Sequence, residues 1–410
     1  MLFLATMLNN FKIKPLEKIS SGKNYLPQKL EAVAALVGTI IGAGVFTLPK
    51  VAQQSSLLIT VLWLGVVLML VIYLHLAFGE IILRTEKDFR LPGYAGYYLG
   101  APAKRLMLLT TFFTFSFSLL IYLLLGSQFL NTLLSFFVPA SLLPSGFLVI
   151  FLWLCLSLII LSKKDRVSKI NLILSFFLLV LFVIIAFYSL PHFHLSNINF
   201  FNISQKWGWL IPYGVMFYAL NGMVAVPEAL HILKRKRAPK ESLKKIIITG
   251  ILIAASCYLL FMVTVVGTTG SSTTAEAIMG LKAVLGKGIV VAGAILGFLA
   301  VVTSYLIFAV YIKNSFTNDF HWSAFISNFI VIGGPLILYF SHLANVIKLI
   351  SFMGGMLGGF EGAMVLLILY QSKKKTDLIP AYEVPLNHFI LSVLFFALLA
   401  GALCQTFLVY

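Results

Sequence analysis

Long apolar segments recur along the whole chain, and they limit its fold more than any other feature of the sequence. Hydrophobic residues make up 60% of the 410 residues and charged residues only 10%. A helix of roughly 20 apolar residues crosses the core of a bilayer, whereas a soluble domain needs far more charge to cover its surface. This composition excludes a soluble globular enzyme and a disordered chain, and it predicts an all-α integral membrane protein. The eleven predicted transmembrane helices, called spans 1 to 11 below, lie at residues 31–49, 57–83, 106–131, 142–162, 170–190, 209–232, 246–267, 288–312, 323–341, 346–371 and 386–408.

Positively charged residues are distributed unevenly between the two sides of the predicted membrane. If the N-terminus is cytoplasmic, 25 of the 30 Lys and Arg residues lie on the cytoplasmic side. Because such residues accumulate in cytoplasmic loops, the sequence predicts a multi-pass protein of the cytoplasmic membrane with its N-terminus inside and its C-terminus outside. The net charge of +17 and the basic run at 234–245 are then topology signals. An anionic-lipid or nucleic-acid patch at 234–245 is the less favoured alternative.

Spans 1 and 6 share a motif that interrupts helices. In each, a glycine precedes a proline by five positions, as in Gly44 to Pro49 and Gly222 to Pro227. Glycine weakens a helix and proline removes a backbone donor, so both spans are predicted to break near the middle of the membrane. Irregular backbone at that depth is tolerated where it lines a cavity, and two broken helices at corresponding places are typical of a transporter site.

A second correspondence supports an internal repeat. The loop after span 2 ends in Leu-Gly at Gly100, and the loop after span 7 ends in Leu-Gly at Gly286. Five spans separate the two broken helices, so the two halves are predicted to have opposite topology. The predicted organisation is a cytoplasmic segment, a first five-helix repeat, a second inverted five-helix repeat, and an eleventh helix with an external C-terminus, at residues 1–30, 31–190, 209–371 and 386–410.

Several motifs resemble those of the amino acid–polyamine–cation permease superfamily, and within it the hydroxy and aromatic amino acid permease branch. They are TIIGAGVFTLP in span 1, AFGEIILRT closing span 2, LPHFHLSNINF after span 5, VPE in span 6 and AVVTSYLIFAVYIKNSF in span 8. The resemblance covers nearly the whole chain. It implies a leucine-transporter-type fold, in which five plus five helices form inverted repeats and one helix is added. It also implies alternating access, with an amino acid bound between spans 1, 3, 6 and 8.

The resemblance places the substrate at the two breaks. Free N–H groups at the start of one half-helix suit a carboxylate, and free carbonyls at the end of another suit an ammonium. Small residues let the substrate approach the backbone. Asn221 is the best side-chain candidate for substrate contact, and an inter-helix hydrogen bond is the equal alternative for this side chain. The candidate substrate-binding residues are Ile40, Gly42, Ala43, Gly44, Val45, Phe217, Tyr218, Asn221 and Gly222.

A coupling cation is expected beside span 8. Thr303 and Ser304 form a hydroxyl pair that, in sodium-coupled relatives with this fold, joins backbone carbonyls to hold sodium. Such hydroxyls also commonly bond back to their own helix. Ser175 stands where several proton-coupled relatives have a lysine, which weakens proton coupling through that site and modestly favours sodium or an exchanger with no coupled ion. The candidate cation-site residues are Gly38, Ile41, Ala300, Thr303, Ser304 and Ser175. No cofactor is expected beyond the coupling ion.

Four ionisable residues lie inside predicted spans, where such residues are costly and often functional. Glu80, Glu228 and Glu361 are candidates for gating or proton transfer, with a structural partner favoured for Glu80 and an inner gate for Glu228. Glu361 is the strongest proton-relay candidate, and a buried hydrogen-bonded acid is the equal alternative. His75 is interpreted as a satisfied packing residue.

The sequence therefore predicts a secondary amino acid transporter and not an enzyme. It favours cation-coupled symport of an aromatic or hydroxy amino acid, with an uncoupled exchanger or an amino-acid-sensing transceptor as the alternative. A channel would need a continuous polar lining and a membrane enzyme a cluster of His, Asp or Cys, and neither pattern is found. The expected partners are an amino acid as the small-molecule substrate and the lipid bilayer, with no nucleic acid and no obligate protein partner.

Overall fold

The computed structural model describes residues 25–42, 44–138, 145–161, 176–177, 180–203, 207–341, 345–375 and 378–409. Every regular element within these ranges is helical, and no strand occurs in them. Positions 43 and 175 lie outside the described residues, so the predictions for Ala43 and Ser175 have no structural counterpart.

Seven stretches among the described residues are long and apolar enough to cross a membrane, and the bent helix pair of span 1 makes an eighth. The seven are Leu57–Arg84, Ala101–Leu134, Gly208–Arg235, Ser242–Ser272, Met279–Thr317, Val346–Lys375 and His388–Gln405. Three shorter apolar helices, Gly146–Leu161, Val180–His192 and Ala324–Phe340, overlap spans 4, 5 and 9. The prediction of an all-helical membrane protein is thus confirmed at this level.

Span 1 is broken at its glycines and not at its proline. The first half is the helix Leu26–Ile40, and Ile41 after it is extended. The second half, Gly44–Ser55, is inclined to the first by 55°. Pro49 lies inside the second half, which continues through it as a helix. The backbone freedom around Gly42 and Gly44 therefore determines where this span breaks.

Span 6 breaks in a different way. Its first half, Ile211–Leu220, and its second half, Val226–Arg235, are separated by Asn221, Gly222 and a short 3-10 turn, Met223–Ala225. Pro227 is the second residue of the second half, a position at which proline costs no hydrogen bond. Here the proline helps to start a helix, whereas Pro49 lies within one.

The two Leu-Gly loops have the same backbone conformation. Gly100 has φ 96° and ψ 179°, and Gly286 has φ 78° and ψ 179°. Gly100 joins the short helix Leu91–Leu99 to span 3, and Gly286 lies at a kink in the helix Lys282–Asn314 that contains span 8. This combination of angles is essentially restricted to glycine, which explains why both loops end in this residue.

Span 10 contains an irregularity that the sequence analysis did not predict. The α-helix Val346–Phe352 passes through a π-helical segment, Met353–Gly358, into the α-helix Gly359–Lys375. A side chain at Gly354 would collide with the carbonyl oxygen of Gly214 in the first half of span 6. These two backbones therefore touch, which only glycine at position 354 permits.

The linker between spans 10 and 11 folds against span 2. The hydroxyl of Tyr382 donates to the carbonyl of Leu76 at 3.0 Å, and the hydroxyl of Tyr73 donates to the carbonyl of Pro385 at 2.8 Å. Tyr382 and Val384 are buried. The linker is thus part of the packed bundle.

Candidate functional site

A central cavity lies where the two broken helices meet. Its walls come from both breaks, from spans 2, 3, 8 and 10, and from the short helix Leu91–Leu99. The lining residues include Ile40, Gly42, Gly44, Thr111, Thr114, Phe115, Ser118, Tyr122, Tyr218, Ala219, Asn221, Phe308, Tyr311, Gly358 and Glu361. The structure thus brings Ile40, Gly42, Gly44, Tyr218 and Asn221, all predicted from the sequence, to one cavity.

The second half of span 1 approaches the first half of span 6 very closely. A Cβ atom at Gly44 would lie 2.7 Å from both the Cα and the Cβ of Ala219. Helix geometry leaves the first N–H groups of Gly44–Ser55 without an acceptor inside the helix. The start of this half-helix therefore presents backbone donors at the cavity, with no side chain at Gly44 to cover them.

The carbonyls at the end of each first half are joined by a side chain of span 7. The hydroxyl of Tyr258 lies 2.7 Å from the carbonyl oxygen of Ile40 and 2.9 Å from that of Ala219. Tyr258 is completely buried. The Ile40 carbonyl, which the resemblance assigns to the substrate ammonium, already accepts a protein hydrogen bond and has one lone pair left.

The remaining predicted substrate residues are placed around the break in span 6. The side-chain oxygen of Asn221 accepts the N–H of Met223 at 3.2 Å, and the carbonyl of Tyr218 accepts the N–H of Asn221 at 3.2 Å. Val45 and Phe217 are buried beside the breaks without lining the cavity. Asn221 thus caps the local turn and lines the cavity with the rest of its side chain.

One wall of the cavity is aromatic. The ring of Phe308 lies 5.4 Å from that of Tyr122 and 5.0 Å from that of Phe115, which stacks on Tyr311 at 5.0 Å. Sequence reasoning did not select these residues. The signal was present as a seven-residue spacing in span 3 and a three-residue spacing in span 8, each of which places two aromatic rings on one helix face.

An acidic residue lies on another wall. The Oε1 atom of Glu361 accepts a hydrogen bond from the hydroxyl of Thr114 at 2.9 Å, and Glu361 is only 6% exposed. Thr111, one turn before Thr114, has a buried hydroxyl with no hydrogen-bond partner among the described residues. Beyond these groups, the cavity reaches Tyr311, whose ring centre is 5.6 Å from the guanidinium carbon of Arg90.

The candidate cation site is close to the span 1 break. The Thr303 hydroxyl donates to the carbonyls of Leu299 and Ala300 of its own helix, at 2.9 and 3.0 Å. The Ser304 hydroxyl is buried without a hydrogen-bond partner in the described part of the chain, and it lies 3.1 Å from where a Cβ atom of Gly42 would be. Gly38 and Ile41 are buried in the same region.

Glu80 is embedded in a network of ion pairs away from the cavity. Its Oε1 atom lies 2.8 Å from Nε of Arg84 and 2.9 Å from Nζ of Lys373, and its Oε2 atom accepts the N–H of Val384. Arg84 also lies 3.4 Å from Glu383. These contacts tie span 2 to span 10 and to the linker that follows it.

Glu228 and His75 have opposite environments. Glu228, in the first turn of Val226–Arg235, is exposed. His75 is fully buried in span 2, where its Nε2 atom accepts the N–H of Gly222 at 2.9 Å and its Nδ1 atom lies 2.8 Å from the carbonyl of Val71. No local sequence pattern indicates this contact, because the two partners are 147 residues apart.

A helical bundle that surrounds a cavity with polar and aromatic walls at two broken helices defines a multi-pass membrane transporter. The profile of the tryptophan/tyrosine permease family matches residues 27–405. The chain belongs to the tryptophan/tyrosine permease family. The predicted likeness to amino acid permeases is thereby confirmed, as is the prediction of a permease instead of an enzyme.

Individual similar proteins agree with this assignment. Glutamine transporter 2 of Aliivibrio fischeri is 24% identical over 232 residues, which are 57% of this chain and 59% of that transporter. The match thus spans less than two thirds of that relative. The structure of MhsT in complex with L-phenylalanine is 16% identical, with a TM-score of 0.64, and covers 93% of this chain and 98% of that one.

A second solved structure shows the same fold. It is Mhp1, a nucleobase-cation-symport-1 family transporter in a closed conformation with bromovinylhydantoin bound. Mhp1 is 14% identical with a TM-score of 0.59, and the alignment covers 95% of this chain and 94% of that one. Both comparisons show that this chain has the leucine-transporter-type fold.

Proposed function

We propose that this chain carries an amino acid across the cell membrane by alternating access, driven by a coupled cation. The observation that carries the proposal is the central cavity, which is lined both by Gly44 at the start of the second half of span 1 and by Tyr218 and Ala219 at the end of the first half of span 6. A zwitterion needs both donors and acceptors, because an unpaired charge in a dry site costs several kcal/mol or more. The names of the family and of the relatives support an amino acid as the substrate.

An aromatic amino acid is the favoured substrate. The rings of Tyr122, Phe308 and Phe115 form a continuous wall that suits a flat side chain. Offset or edge-to-face contacts between such rings add about 0.5–1.5 kcal/mol each beyond the burial of area. A glutamine-like or hydroxy amino acid would forgo these contacts, so the panel tested below includes both.

We further propose eleven spans with the N-terminus in the cytoplasm. The three shorter apolar helices at spans 4, 5 and 9 complete that number, and the distribution of Lys and Arg gives the orientation.

In this orientation the cavity extends toward the cytoplasmic Arg90. On the other side of the breaks, Phe46 packs within 4.9–6.4 Å of Phe129, Phe261 and Phe182. We therefore propose an inward-facing conformation.

Sodium is the favoured coupling ion. The Ser304 hydroxyl faces the span 1 break without a hydrogen-bond partner in the described part of the chain, which suits a role as a ligand. Hydroxyl and carbonyl oxygens are the ligands that hard cations prefer. The Thr303 hydroxyl can join it while donating to its own helix carbonyls, because the oxygen keeps its lone pairs.

The test is uptake into proteoliposomes. Purified protein is reconstituted and supplied with labelled L-tryptophan, L-tyrosine, L-serine or L-glutamine, while sodium and proton gradients are imposed separately. We expect concentrative uptake of an aromatic amino acid that requires the sodium gradient. Exchange of preloaded substrate without net uptake would indicate an exchanger, and the absence of any flux would refute a transport function.

A further inference from the structure

The buried histidine of span 2 contacts the broken backbone of span 6. A backbone N–H can only donate, so the Nε2 atom of His75, 2.9 Å from the N–H of Gly222, is the acceptor. The Nδ1 atom then carries the ring hydrogen and donates it to the carbonyl of Val71 at 2.8 Å. Both ring nitrogens are thus engaged, and the neutral tautomer of His75 is fixed.

Tyr258 makes the complementary contact from span 7. Its hydroxyl shares one hydrogen between the carbonyls of Ile40 and Ala219, which end the first halves of spans 1 and 6. His75 therefore binds a backbone donor of one break, and Tyr258 binds backbone acceptors of both. The two residues come from spans 2 and 7, which occupy equivalent positions in the predicted inverted repeat, and both are fully buried.

The donors at the two breaks consequently differ in availability. In span 6, the N–H of Gly222 is bound by His75 and that of Met223 by the side chain of Asn221. In span 1, the first amides of Gly44–Ser55 have no acceptor within their helix, and Gly44 has no side chain to cover them. A carboxylate that enters the cavity finds its donors at span 1.

We propose that His75 and Tyr258 are positioning residues of the substrate site, which brace the two breaks and direct the substrate carboxylate to span 1. His75 withdraws the competing donor of Gly222 from the cavity. Tyr258 holds the first halves of spans 1 and 6 at a fixed separation, so that the donors of span 1 and the carbonyls of span 6 face one zwitterion. This inference rests on the proposed function and assigns these two side chains a role in it.

The experiment measures KM and kcat for uptake of labelled L-tryptophan and L-glutamine by four variants in proteoliposomes. His75→Leu removes the acceptor, and His75→Gln supplies another one. Tyr258→Phe removes the bridging hydroxyl. Tyr73→Phe is the matched control, because it removes a buried hydroxyl of span 2 that bonds the distant Pro385 carbonyl. Thermal unfolding midpoints of all variants in detergent report stability separately.

We expect KM to rise roughly tenfold in His75→Leu and Tyr258→Phe, the equivalent of one lost hydrogen bond. KM should stay near its original value in His75→Gln and in Tyr73→Phe, whatever their midpoints. An unchanged KM in His75→Leu and Tyr258→Phe, or an equal rise in Tyr73→Phe, would overturn the proposal.

Two further outcomes are decisive. If His75→Leu does not fold, the KM of Tyr258→Phe is the test of the positioning role. A normal KM in that variant then refutes the role. If the unsubstituted protein transports none of the four amino acids of the uptake test, both the proposed role of His75 and Tyr258 and the proposed function fail. If the unsubstituted protein transports substrate and Tyr258→Phe has the same KM, only the positioning role of His75 and Tyr258 is refuted, and the proposed function stands.

Discussion

The carboxylate of Glu361 accepts a hydrogen bond from the hydroxyl of Thr114 at 2.9 Å, and this contact joins span 10 to span 3 on the wall of the central cavity. Thr114 is one helical turn from Ser118, which lines the same cavity nearer the breaks. An acid in this place can exchange protons with water in the cavity, or it can serve only to hold the two helices together. The two roles predict different behaviour when the charge is removed.

We expect Glu361→Gln to leave sodium-driven uptake intact, because the amide oxygen of Gln can still accept the Thr114 hydrogen bond. Thr114→Val removes that bond and should lower the thermal unfolding midpoint while uptake persists in the surviving protein. The measurement compares uptake driven by sodium with uptake driven by protons for each variant. Loss of gradient-driven uptake in Glu361→Gln with retained substrate exchange would instead make Glu361 the coupling group and the proton the coupling ion.

Gly44→Ala should reduce uptake at least roughly tenfold. Its Cβ would lie 2.7 Å from two atoms of Ala219, so spans 1 and 6 must separate, and overpacking of this kind costs about 1–3 kcal/mol. The matched control is Gly65→Ala, since a Cβ at this position of span 2 meets no atom within 4 Å. Equal uptake by the two variants would show that the close approach is dispensable.

Ser304→Ala should raise the sodium concentration needed for half-maximal uptake by roughly tenfold, because it removes the hydroxyl that is proposed as a sodium ligand. The control is Ser327→Ala in the helix Ala324–Phe340, whose buried hydroxyl bonds the carbonyl of Ser323 in its own chain segment. Uptake is measured against sodium at constant ionic strength with choline as the replacement cation. A sodium requirement that does not change in Ser304→Ala would place the ion elsewhere.

Glu80→Gln should destabilise the protein by about 3–5 kcal/mol, because it leaves the buried charge of Arg84 and the partly exposed charge of Lys373 without their shared carboxylate. Glu383→Gln removes a half-exposed partner of Arg84 and should cost at most about 1 kcal/mol. Thermal unfolding in detergent compares the two. Similar midpoints would mean that water or lipid headgroups reach the Glu80 network.

Sequence patterns located the breaks, because glycine and proline act on the backbone within a few residues of their own position. Gly44 and Gly222 could therefore be selected in advance. The same reasoning could not distinguish Pro49, which lies inside a helix, from Pro227, which begins one, since both follow a glycine by five positions. The difference is set by packing of the two half-helices against distant spans.

The side chains that organise the cavity were harder to recognise. His75 and Tyr258 carry no local signal, because each contacts backbone far away in the sequence, and a single His in an apolar helix is usually a packing residue. Glycines flank Glu361 in the sequence. They did not reveal the π-helical segment Met353–Gly358, whose position depends on contact with Gly214.

The folded linker between spans 10 and 11 determines where a spectroscopic reporter can be attached. Loops of membrane proteins are the customary places for fluorophores and spin labels, and residues 378–387 would be an obvious choice from the sequence. Tyr382 and Val384 are buried against span 2, however, and their bonds hold Leu76 and Glu80. A label at either position would disturb the packing of the linker against span 2, so its signal would not report the native structure.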